Sequence, residues 1–286
     1  MTHRNKTVII TGANRGLGFE TAKVLAGKGY EVIMLGRNEQ ELKKAQWEIS
    51  NEFKEANTHV FIADLSNFNS VTQCCEHIKA SFSKIDVLIN NAGAVFADFG
   101  LTQDGLERTI AVNHFSYFLI CYHLLPLLKN AGAARIVNVA SHSHYPGKID
   151  FESFTKNKGY FIMKAYEQSK LANVLFTYAL AEKLKNTSIT VNALHPGRVD
   201  TQIGIKNQPW HVALFWKVFT SISSVSVQKG AETQIFLATD TSVEGITGKY
   251  FARCKEVKSS RLSYDKILAD KLWEETERLS GVNFEL

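Results

Sequence analysis

Two tyrosine–lysine pairs in the middle of the chain have the spacing of an acid–base site. Tyr166 and Lys170 are four residues apart, as are Tyr160 and Lys164, and on a helix this spacing puts both side chains on one face. A lysine ammonium beside a phenol favours the phenolate and so lowers the tyrosine pKa from its reference value of about 10. Such a tyrosine can exchange a proton with an alcohol or carbonyl oxygen near neutral pH. Either pair alone is more typical of an ordinary helix surface, so other motifs must distinguish them.

A glycine-rich stretch near the N-terminus has the pattern of a phosphate-binding loop. The β-branched run at 7–11 predicts a buried parallel strand, and it leads through Gly12, Gly16 and Gly18 into a helical pattern that reaches Gly29. Glycines allow the backbone to approach a pyrophosphate, whose charge then meets the helix N-terminus. The spacing is Gly-x-x-x-Gly-x-Gly rather than the usual Gly-x-Gly-x-x-Gly, and the alternative is a plain strand-to-helix turn.

The end of the second predicted strand bears on the choice of cofactor. This strand, at 30–35, is followed by Gly36 and Arg37, where an NAD site would have a carboxylate for the ribose 2′-hydroxyl. Arg37 and Arg15, which lies in the glycine-rich stretch, suit a 2′-phosphate, because a guanidinium binds it bidentately. The sequence therefore predicts NADP(H). The alternative is that Arg37 is a solvated loop charge.

Strands and helices alternate along the chain. Further apolar strands are predicted at 59–63, 85–89, 134–139 and 189–194, with helical patterns between them. Small and polar residues follow the C-terminal ends of these strands, and in open α/β sheets that edge binds ligands. The alternation predicts a single α/β domain over residues 1–286, with a doubly wound parallel sheet of Rossmann type between two layers of helices.

Composition and charge argue against several other classes of protein. The net charge is +5 and the basic residues are scattered, which is not typical of a nucleic-acid-binding surface. The four cysteines have no zinc-ligand spacing, and a reducing compartment is predicted.

His142 and His144 are interpreted as loop histidines, because the sequence offers no third metal ligand near them, and no metal is predicted. The apolar run 109–128 contains too many polar residues for a lipid-exposed helix and predicts a buried or interface helix.

Several motifs stand in one order along the chain. They are Thr11-Gly12-x-x-x-Gly16-x-Gly18, Asp64-Leu65, Asn90-Asn91-Ala92-Gly93, Asn113, Ser141, Tyr166-x-x-Ser169-Lys170 and Pro196-Gly197. Together they resemble the classical short-chain dehydrogenase/reductase superfamily over essentially the whole chain. Segments such as 86–93, 168–176, 194–197 and 248–251 resemble its retinol-dehydrogenase-like branch.

The resemblance implies a catalytic tetrad. Tyr166 is then the general acid/base, Lys170 lowers its pKa and binds the nicotinamide ribose, Ser141 hydrogen-bonds the substrate oxygen and Asn113 holds a water in the proton relay. Tyr166 rather than Tyr160 fits the family motif, because Ser169 precedes its lysine. The resemblance also implies that NADP(H) is bound by Gly12, Asn14, Arg15, Gly16, Leu17, Gly18, Arg37, Asp64, Leu65, Asn91, Ala92, Gly93, Tyr166, Lys170, Val199 and Thr201.

Three features concern substrate and location. Many members of this branch carry an N-terminal membrane anchor, whereas this sequence enters its first strand directly, so a soluble cytoplasmic protein without a signal peptide is expected. Ser141 follows an alanine where many relatives have a second serine. The segment 202–228 is very apolar, which suits a lid over a lipophilic substrate and peripheral membrane contact. The alternatives for this lid are packing on the core or a subunit interface such as that of a homodimer.

The sequence therefore predicts an NADP(H)-dependent oxidoreductase that interconverts an alcohol and a carbonyl. Its expected substrate is lipophilic: a retinoid, a steroid or another apolar aldehyde or ketone. The alternative is a nucleotide-binding scaffold or sensor that has the same fold and little turnover. The intact tetrad favours the enzyme, while the identity of the substrate and the stereochemistry are not encoded in any motif.

Overall fold

The central sheet brings the C-terminal ends of its parallel strands to one edge. The computed structural model describes residues 6–197 and 225–284. The order across the sheet is β3-β2-β1-β4-β5-β6-β7-β8, and every neighbouring pair is parallel except β7 with β8. The chain order reverses between β1 and β4, which opens a crevice for ligands at that edge. The strands are β1 Thr7–Thr11, β2 Glu31–Gly36, β3 Asn57–Ile62, β4 Val87–Asn90, β5 Arg135–Val139, β6 Thr190–Leu194, β7 Lys249–Ala252 and β8 Lys255–Glu256.

Helices cover both faces of the sheet and enclose a separate apolar core on each. One core packs beneath the helices α3, α5, α6 and α8, and the other lies beneath α1, α2 and α7. The predicted α/β fold with helices on both faces is therefore confirmed. The helices are α1 Gly16–Gly27, α2 Glu39–Glu52, α3 Phe68–Ser81, α4 Arg108–Ile110, α5 Ser116–Asn130, α6 Ile162–Lys183, α7 Val227–Thr239 and α8 Lys266–Ser280, and a π-helical turn at Ala111–Phe115 joins α4 to α5.

The burial of the central strands explains their composition. All five residues of β1 are buried, and the four residues of β4 are too. A parallel strand with helices on both faces has no solvent side, so continuous β-branched and aliphatic runs replace the alternation of an exposed strand. This is why these strands could be recognised from sequence.

The apolar stretch that contains α5 lies inside the fold. Among the residues that the structure describes, the helical stretch Arg108–Asn130 is the one long and apolar enough to cross a membrane, and 78% of its most apolar window is buried within the protein. Tyr117, Phe118 and Leu124 are fully enclosed. The prediction of a buried helix over 109–128 is confirmed.

The structure also adds elements that the sequence patterns did not predict. β7, β8 and α8 follow the last predicted strand, and α8 packs Trp273 against Phe118 and Phe176. Of the predicted lid, 202–224 lies outside the described residues, as do the predicted cofactor contacts Val199 and Thr201. The last two residues of the predicted lid belong instead to the first turn of α7.

Candidate active site

Helix α6 carries two of the predicted catalytic side chains to the edge of the sheet. Tyr166 is 8% exposed and Lys170 is 2% exposed. The Lys170 Nζ donates a hydrogen bond of 3.1 Å to the carbonyl of Val139, the last residue of β5, and lies 5.8 Å from the centroid of the Tyr166 ring. The side chain of Lys170 therefore joins the end of β5 to the helix that carries Tyr166.

Ser141 stands two residues beyond β5 and faces Tyr166. It is the N-cap of a 3-10 turn at His142–His144, and its Oγ accepts a 3.1 Å hydrogen bond from the backbone N–H of Ser143. The Ser141 side chain also hydrogen-bonds Tyr166, which lowers the tyrosine pKa. Ser141 and Tyr166, which were each predicted as catalytic residues, therefore lie side by side, and their catalytic roles stay predictions.

Asn113 lies in the π-helical turn, fully buried. Its Oδ1 accepts from the Ala94 N–H at 2.7 Å, and its Nδ2 donates to the Ala94 carbonyl and to Ser169 Oγ, each at 2.9 Å. Both side-chain N–H groups are thus used to tie the loop after β4 to α6. The role of Asn113 in holding a relay water stays a prediction.

The acid–base properties of the pair differ from the expectation. Burial raises the pKa of Tyr166 above 10, and only the Ser141 hydrogen bond lowers it. Burial also lowers the pKa of Lys170 to about 7. A low-dielectric site disfavours both the phenolate and the ammonium, and the Nζ is directed to the Val139 carbonyl rather than to the phenol oxygen. The expected lowering of the tyrosine pKa by Lys170 is therefore absent from this arrangement.

Tyr160, the competing tyrosine, is part of the supporting structure. It precedes α6, so it does not share a helix face with Lys164. Its hydroxyl donates to the Phe96 carbonyl at 2.8 Å and bonds Thr109 Oγ1 at 3.2 Å. Burial raises its pKa to about 12. The structure brings Tyr166, and not Tyr160, to Ser141.

The glycine-rich loop has the geometry of a phosphate cradle. Gly12 has φ +69°, which favours glycine, and its N–H donates to the Leu35 carbonyl at 2.7 Å. A Cβ on Gly18 would lie 2.3 Å from the Gly12 carbonyl oxygen. α1 begins after Arg15, which makes no side-chain cap hydrogen bond, whereas α2, α3, α7 and α8 each have one. The first-turn N–H groups of α1 therefore suit an anion.

A cleft of about 340 Å³ adjoins this loop and collects charged side chains of both signs. Arg15 and Lys44 contribute the positive charges, and Glu41 and Glu48 the negative ones. Glu41 Oε2 accepts from Asn14 Nδ2 at 2.6 Å. Glu41 is not marked by any cofactor motif of the sequence, although Asn38-x-x-Glu41 has the capping-box spacing of a helix start. The remaining lining residues are Asn14, Gly16, Phe19 and Ala45.

The other predicted cofactor residues lie along the same edge, and some of them are mainly structural. Asn91 Nδ2 donates to the Thr11 carbonyl at 2.8 Å, and the N–H groups of Asn91 and Ala92 both donate to Thr11 Oγ1 at 2.9 Å. Asp64 Oδ1 accepts from the N–H and the Oγ of Ser66. Gly16 and Leu17 are the first two residues of α1, Leu65 and Gly93 lie in the loops after β3 and β4, and Arg37 is exposed directly after β2.

Two residues that support the site were missed. Thr11 joins the glycine-rich loop to the end of β4, and only its place in the Thr-Gly motif signalled it. The Tyr117 hydroxyl donates to the Ala92 carbonyl at 2.7 Å, and the centroid of the Tyr117 ring lies 5.9 Å from Lys170 Nζ. No motif marks Tyr117 within its apolar run. Within 6–197 and 225–284, no group of three or more potential metal ligands comes together.

Comparison with known proteins places this geometry in a family. A family model described as short chain dehydrogenase matches residues 6–211. The chain is 38% identical to mouse retinol dehydrogenase 12 over 98% of its own length and 88% of that relative's. It is also 38% identical to mouse retinol dehydrogenase 14, over 97% and 86%.

Solved structures give the same result. An uncharacterized protein from Mycobacterium Paratuberculosis superposes with a TM-score of 0.79 and 30% identity, covering 100% of this chain and 97% of that one. A short chain dehydrogenase from Salmonella enterica serovar Typhi gives a TM-score of 0.67 and 25% identity, over 88% and 97%. The chain therefore belongs to the short-chain dehydrogenase family of nicotinamide-dependent oxidoreductases, in which its relatives include retinol dehydrogenases.

Proposed function

We propose that this protein is an NADP(H)-dependent enzyme that interconverts an alcohol and a carbonyl on a lipophilic substrate, with Tyr166 as general acid/base. The observation that carries the proposal is that the side chains of Ser141, two residues after β5, and Tyr166, on α6, lie next to each other at the carboxyl edge of the sheet. Two hydroxyl groups held together can share one substrate oxygen, since each can donate a hydrogen bond to it. This arrangement suits an oxygen that gains or loses a proton during the reaction.

In the direction of reduction, Tyr166 gives its proton to the carbonyl oxygen, and in oxidation it takes the proton back from the alcohol. Ser141 holds the same oxygen by a hydrogen bond and stabilises the charge that develops on it. Lys170 supplies a buried amine beside the tyrosine ring. When bound, the nicotinamide supplies or accepts the hydride at the carbonyl carbon.

The glycine-rich loop and the end of β2 would hold the cofactor. The uncapped start of α1 suits a pyrophosphate. Arg15, just before α1, and Arg37, just after β2, are both exposed. Neither has an ion-pair partner in the described part of the chain. Two available guanidinium groups favour a 2′-phosphate, so NADP(H) is proposed over NAD(H). The Glu41 carboxylate, which accepts a hydrogen bond from Asn14, opposes this preference.

Apolar side chains next to Tyr166 favour a lipophilic substrate. Tyr166 and Val95 form a small cluster, and Ile162 and Met163 pack against it. The substrate named in the relatives' own names, retinol, is a long apolar alcohol of this kind. The apolar composition of 202–228 supports the same proposal. We also propose a cytoplasmic protein whose apolar segment 202–228 makes peripheral membrane contact, and co-sedimentation with phosphatidylcholine vesicles tests that contact.

The test is turnover by the purified protein. Retinaldehyde, a steroid ketone and a short aliphatic aldehyde are offered with NADPH, and the same reactions are run with Tyr166→Phe and Ser141→Ala. The proposal predicts consumption of NADPH with the apolar carbonyls and a large fall in that activity, to a residual rate, in both variants. The second candidate, a nucleotide-binding scaffold, would bind NADPH normally and turn over none of the substrates.

A further inference from the structure

His144 lies directly beneath the loop that carries Ser141. The residue is fully buried, and both of its ring nitrogens have partners. Its Nδ1 is 2.7 Å from the Ser141 carbonyl oxygen, and its Nε2 is 3.0 Å from the backbone nitrogen of Ser260. The imidazole thus connects the turn after β5 to the segment that follows β8.

The partners of the ring determine its tautomer. The backbone N–H of Ser260 can only donate, so Nε2 must accept and carries no hydrogen. In the neutral ring the hydrogen is then on Nδ1, which donates to the carbonyl of Ser141. Burial lowers the pKa of His144 to about 4, so this neutral form prevails at neutral pH. Titratable groups near the ring include His142, Tyr145, His195 and Tyr250.

Three donors converge on the Ser141 carbonyl. They are the backbone N–H of His144 at 3.1 Å, its Nδ1–H at 2.7 Å and the Tyr250 hydroxyl at 3.4 Å. Fixing this carbonyl fixes the backbone of Ser141, which is extended at φ −158° and ψ 156°, and so limits where its Oγ can point. Because the Oγ accepts from the Ser143 N–H, its own hydrogen is left for Tyr166 or the substrate.

The far side of the ring is anchored to the helix of Tyr166. Ser259, next to Ser260, bonds the Tyr178 hydroxyl of α6 at 2.7 Å and Ser263 Oγ at 2.7 Å. Hydrogen bonds and short lengths of chain therefore form a closed path from α6 through Tyr178, Ser259, His144 and Ser141 back to Tyr166 on α6. His144 is the member of this path that spans the gap between the two loops.

We propose that His144 is a positioning residue for the reaction: its Nδ1–H holds the Ser141 backbone so that the Ser141 hydroxyl meets Tyr166 and the substrate oxygen. This inference rests on the proposed function, because it assigns His144 an effect only through Ser141. It does not require His144 to touch substrate or cofactor.

Four variants separate this role from general support of the fold. His144→Phe removes all of the ring's hydrogen bonds, including the one at 3.2 Å between Nδ1 and the Tyr250 hydroxyl. His144→Asn keeps a donor near the Nδ1 position, and His144→Gln keeps a polar group near the Nε2 position. Tyr145→Phe is the matched control, because the Tyr145 hydroxyl donates to the Lys258 carbonyl at 2.5 Å and so joins the same two segments without contacting Ser141.

The assay is retinaldehyde reduction with NADPH, with the Kd of NADPH and the thermal unfolding midpoint measured alongside. We expect kcat to fall about 10- to 100-fold in His144→Phe and His144→Gln, as misplacement of a reacting group does, while the Kd changes less than about twofold. His144→Asn should regain most of the lost kcat, and Tyr145→Phe should keep it. The alkaline limb of the pH–rate profile should move to higher pH in His144→Phe, as in Ser141→Ala, because the Ser141 contact lowers the pKa of Tyr166.

A double variant decides whether His144 acts through Ser141. Adding His144→Phe to Ser141→Ala should lower kcat no further, because contacts that act as a unit are not additive. Full additivity, or recovery by His144→Gln rather than by His144→Asn, would overturn the inference. If Ser141→Ala retains wild-type activity, the proposed function itself fails. If Ser141→Ala is impaired while His144→Phe and His144→Asn match the wild type, only the positioning role fails.

Discussion

Asn113 Nδ2 donates to Ser169 Oγ at 2.9 Å, and this buried hydrogen bond joins the π-helical turn to the helix α6 that carries Tyr166. Ser169 in turn donates to the Tyr166 carbonyl at 2.8 Å. Two residues from distant parts of the sequence are therefore locked together next to Lys170. The serine of the Tyr-x-x-Ser-Lys motif has a structural task, since it fixes how α6 sits against the loop after β4.

Replacing Ser169 by alanine should damage both stability and activity. The Asn113 N–H would be left buried without its acceptor, which costs about 1–3 kcal/mol of unfolding free energy. We expect kcat to fall about 10-fold, because Tyr166 loses its fixed position. Urea unfolding and steady-state reduction of retinaldehyde measure the two effects.

Ser116→Ala is the matched control for that change. Ser116 is equally buried, but its Oγ only donates to the Val112 carbonyl one turn earlier at 2.7 Å. Its loss should cost about 1 kcal/mol or less and should leave kcat within about twofold. Equal losses of kcat in the two variants would contradict the assigned role of Ser169.

Replacement by phenylalanine should lower kcat at Tyr166 and stability at Tyr160. Tyr166→Phe removes the transferable proton, so kcat should fall by about two to four orders of magnitude while NADPH still binds. Tyr160→Phe removes the bond to the Phe96 carbonyl. It should cost about 1 kcal/mol of stability with kcat nearly unchanged. Steady-state rates and thermal unfolding of both variants test this, and a comparable loss of kcat in Tyr160→Phe would refute the assignment.

The sequence predicted the sheet well, and with it the loops that lie at the carboxyl edge, because both depend on local patterns. Buried strands such as β1 and β4 need continuous apolar residues, and ligand loops need glycine and small polar residues at the strand ends. Strand boundaries were correct to within about two residues, as in the prediction of 59–63 for β3 at Asn57–Ile62. The tetrad came from a motif order that the family preserves.

What the sequence missed depends on contacts between distant segments. Ser260 meets His144 across 116 residues, and Thr11 meets Asn91 across 80 residues. No periodicity records such pairs. The pKa of Tyr166 was expected to be lowered because only the four-residue spacing to Lys170 was considered. Burial of both groups, a tertiary property, reverses that effect.

Lys170 should make the stability of the protein depend on pH. Burial depresses its pKa to about 7 in the folded state from 10.5 in the unfolded chain. Between these values the unfolded state binds the extra proton, so the unfolding free energy should rise with pH, by at most about 1.4 kcal/mol per pH unit. Below pH 7 and above pH 10.5 this contribution to the slope disappears. Lys170→Met should lack the rise, and urea unfolding of both proteins at pH 7, 8, 9 and 10 measures the difference. Parallel curves would mean that Lys170 keeps its charge in the folded protein.

The choice between NADPH and NADH should depend on Arg37. A charge-assisted hydrogen bond contributes roughly 1.5–3 kcal/mol, so Arg37→Ala should weaken NADPH binding about 10- to 150-fold. NADH has no 2′-phosphate for this guanidinium, and its Kd should be almost unchanged. Lys43→Ala is the control, because Lys43 is an exposed cation of α2 that is already paired with Glu39 and does not follow β2 directly, as Arg37 does.

Gly36→Asp should reverse the preference rather than only weaken it. A Cβ at Gly36 would meet Leu42 Cδ1 at 3.4 Å and Asn14 Oδ1 at 3.6 Å, which are ordinary contacts, so the fold should accept the side chain. The new carboxylate would repel a 2′-phosphate and accept hydrogen bonds from the ribose hydroxyls of NADH. Fluorescence titration of wild type, Arg37→Ala, Lys43→Ala and Gly36→Asp with each cofactor gives the Kd values. The interpretation of the end of β2 is wrong if the wild type prefers NADH, or if Arg37→Ala weakens both cofactors equally.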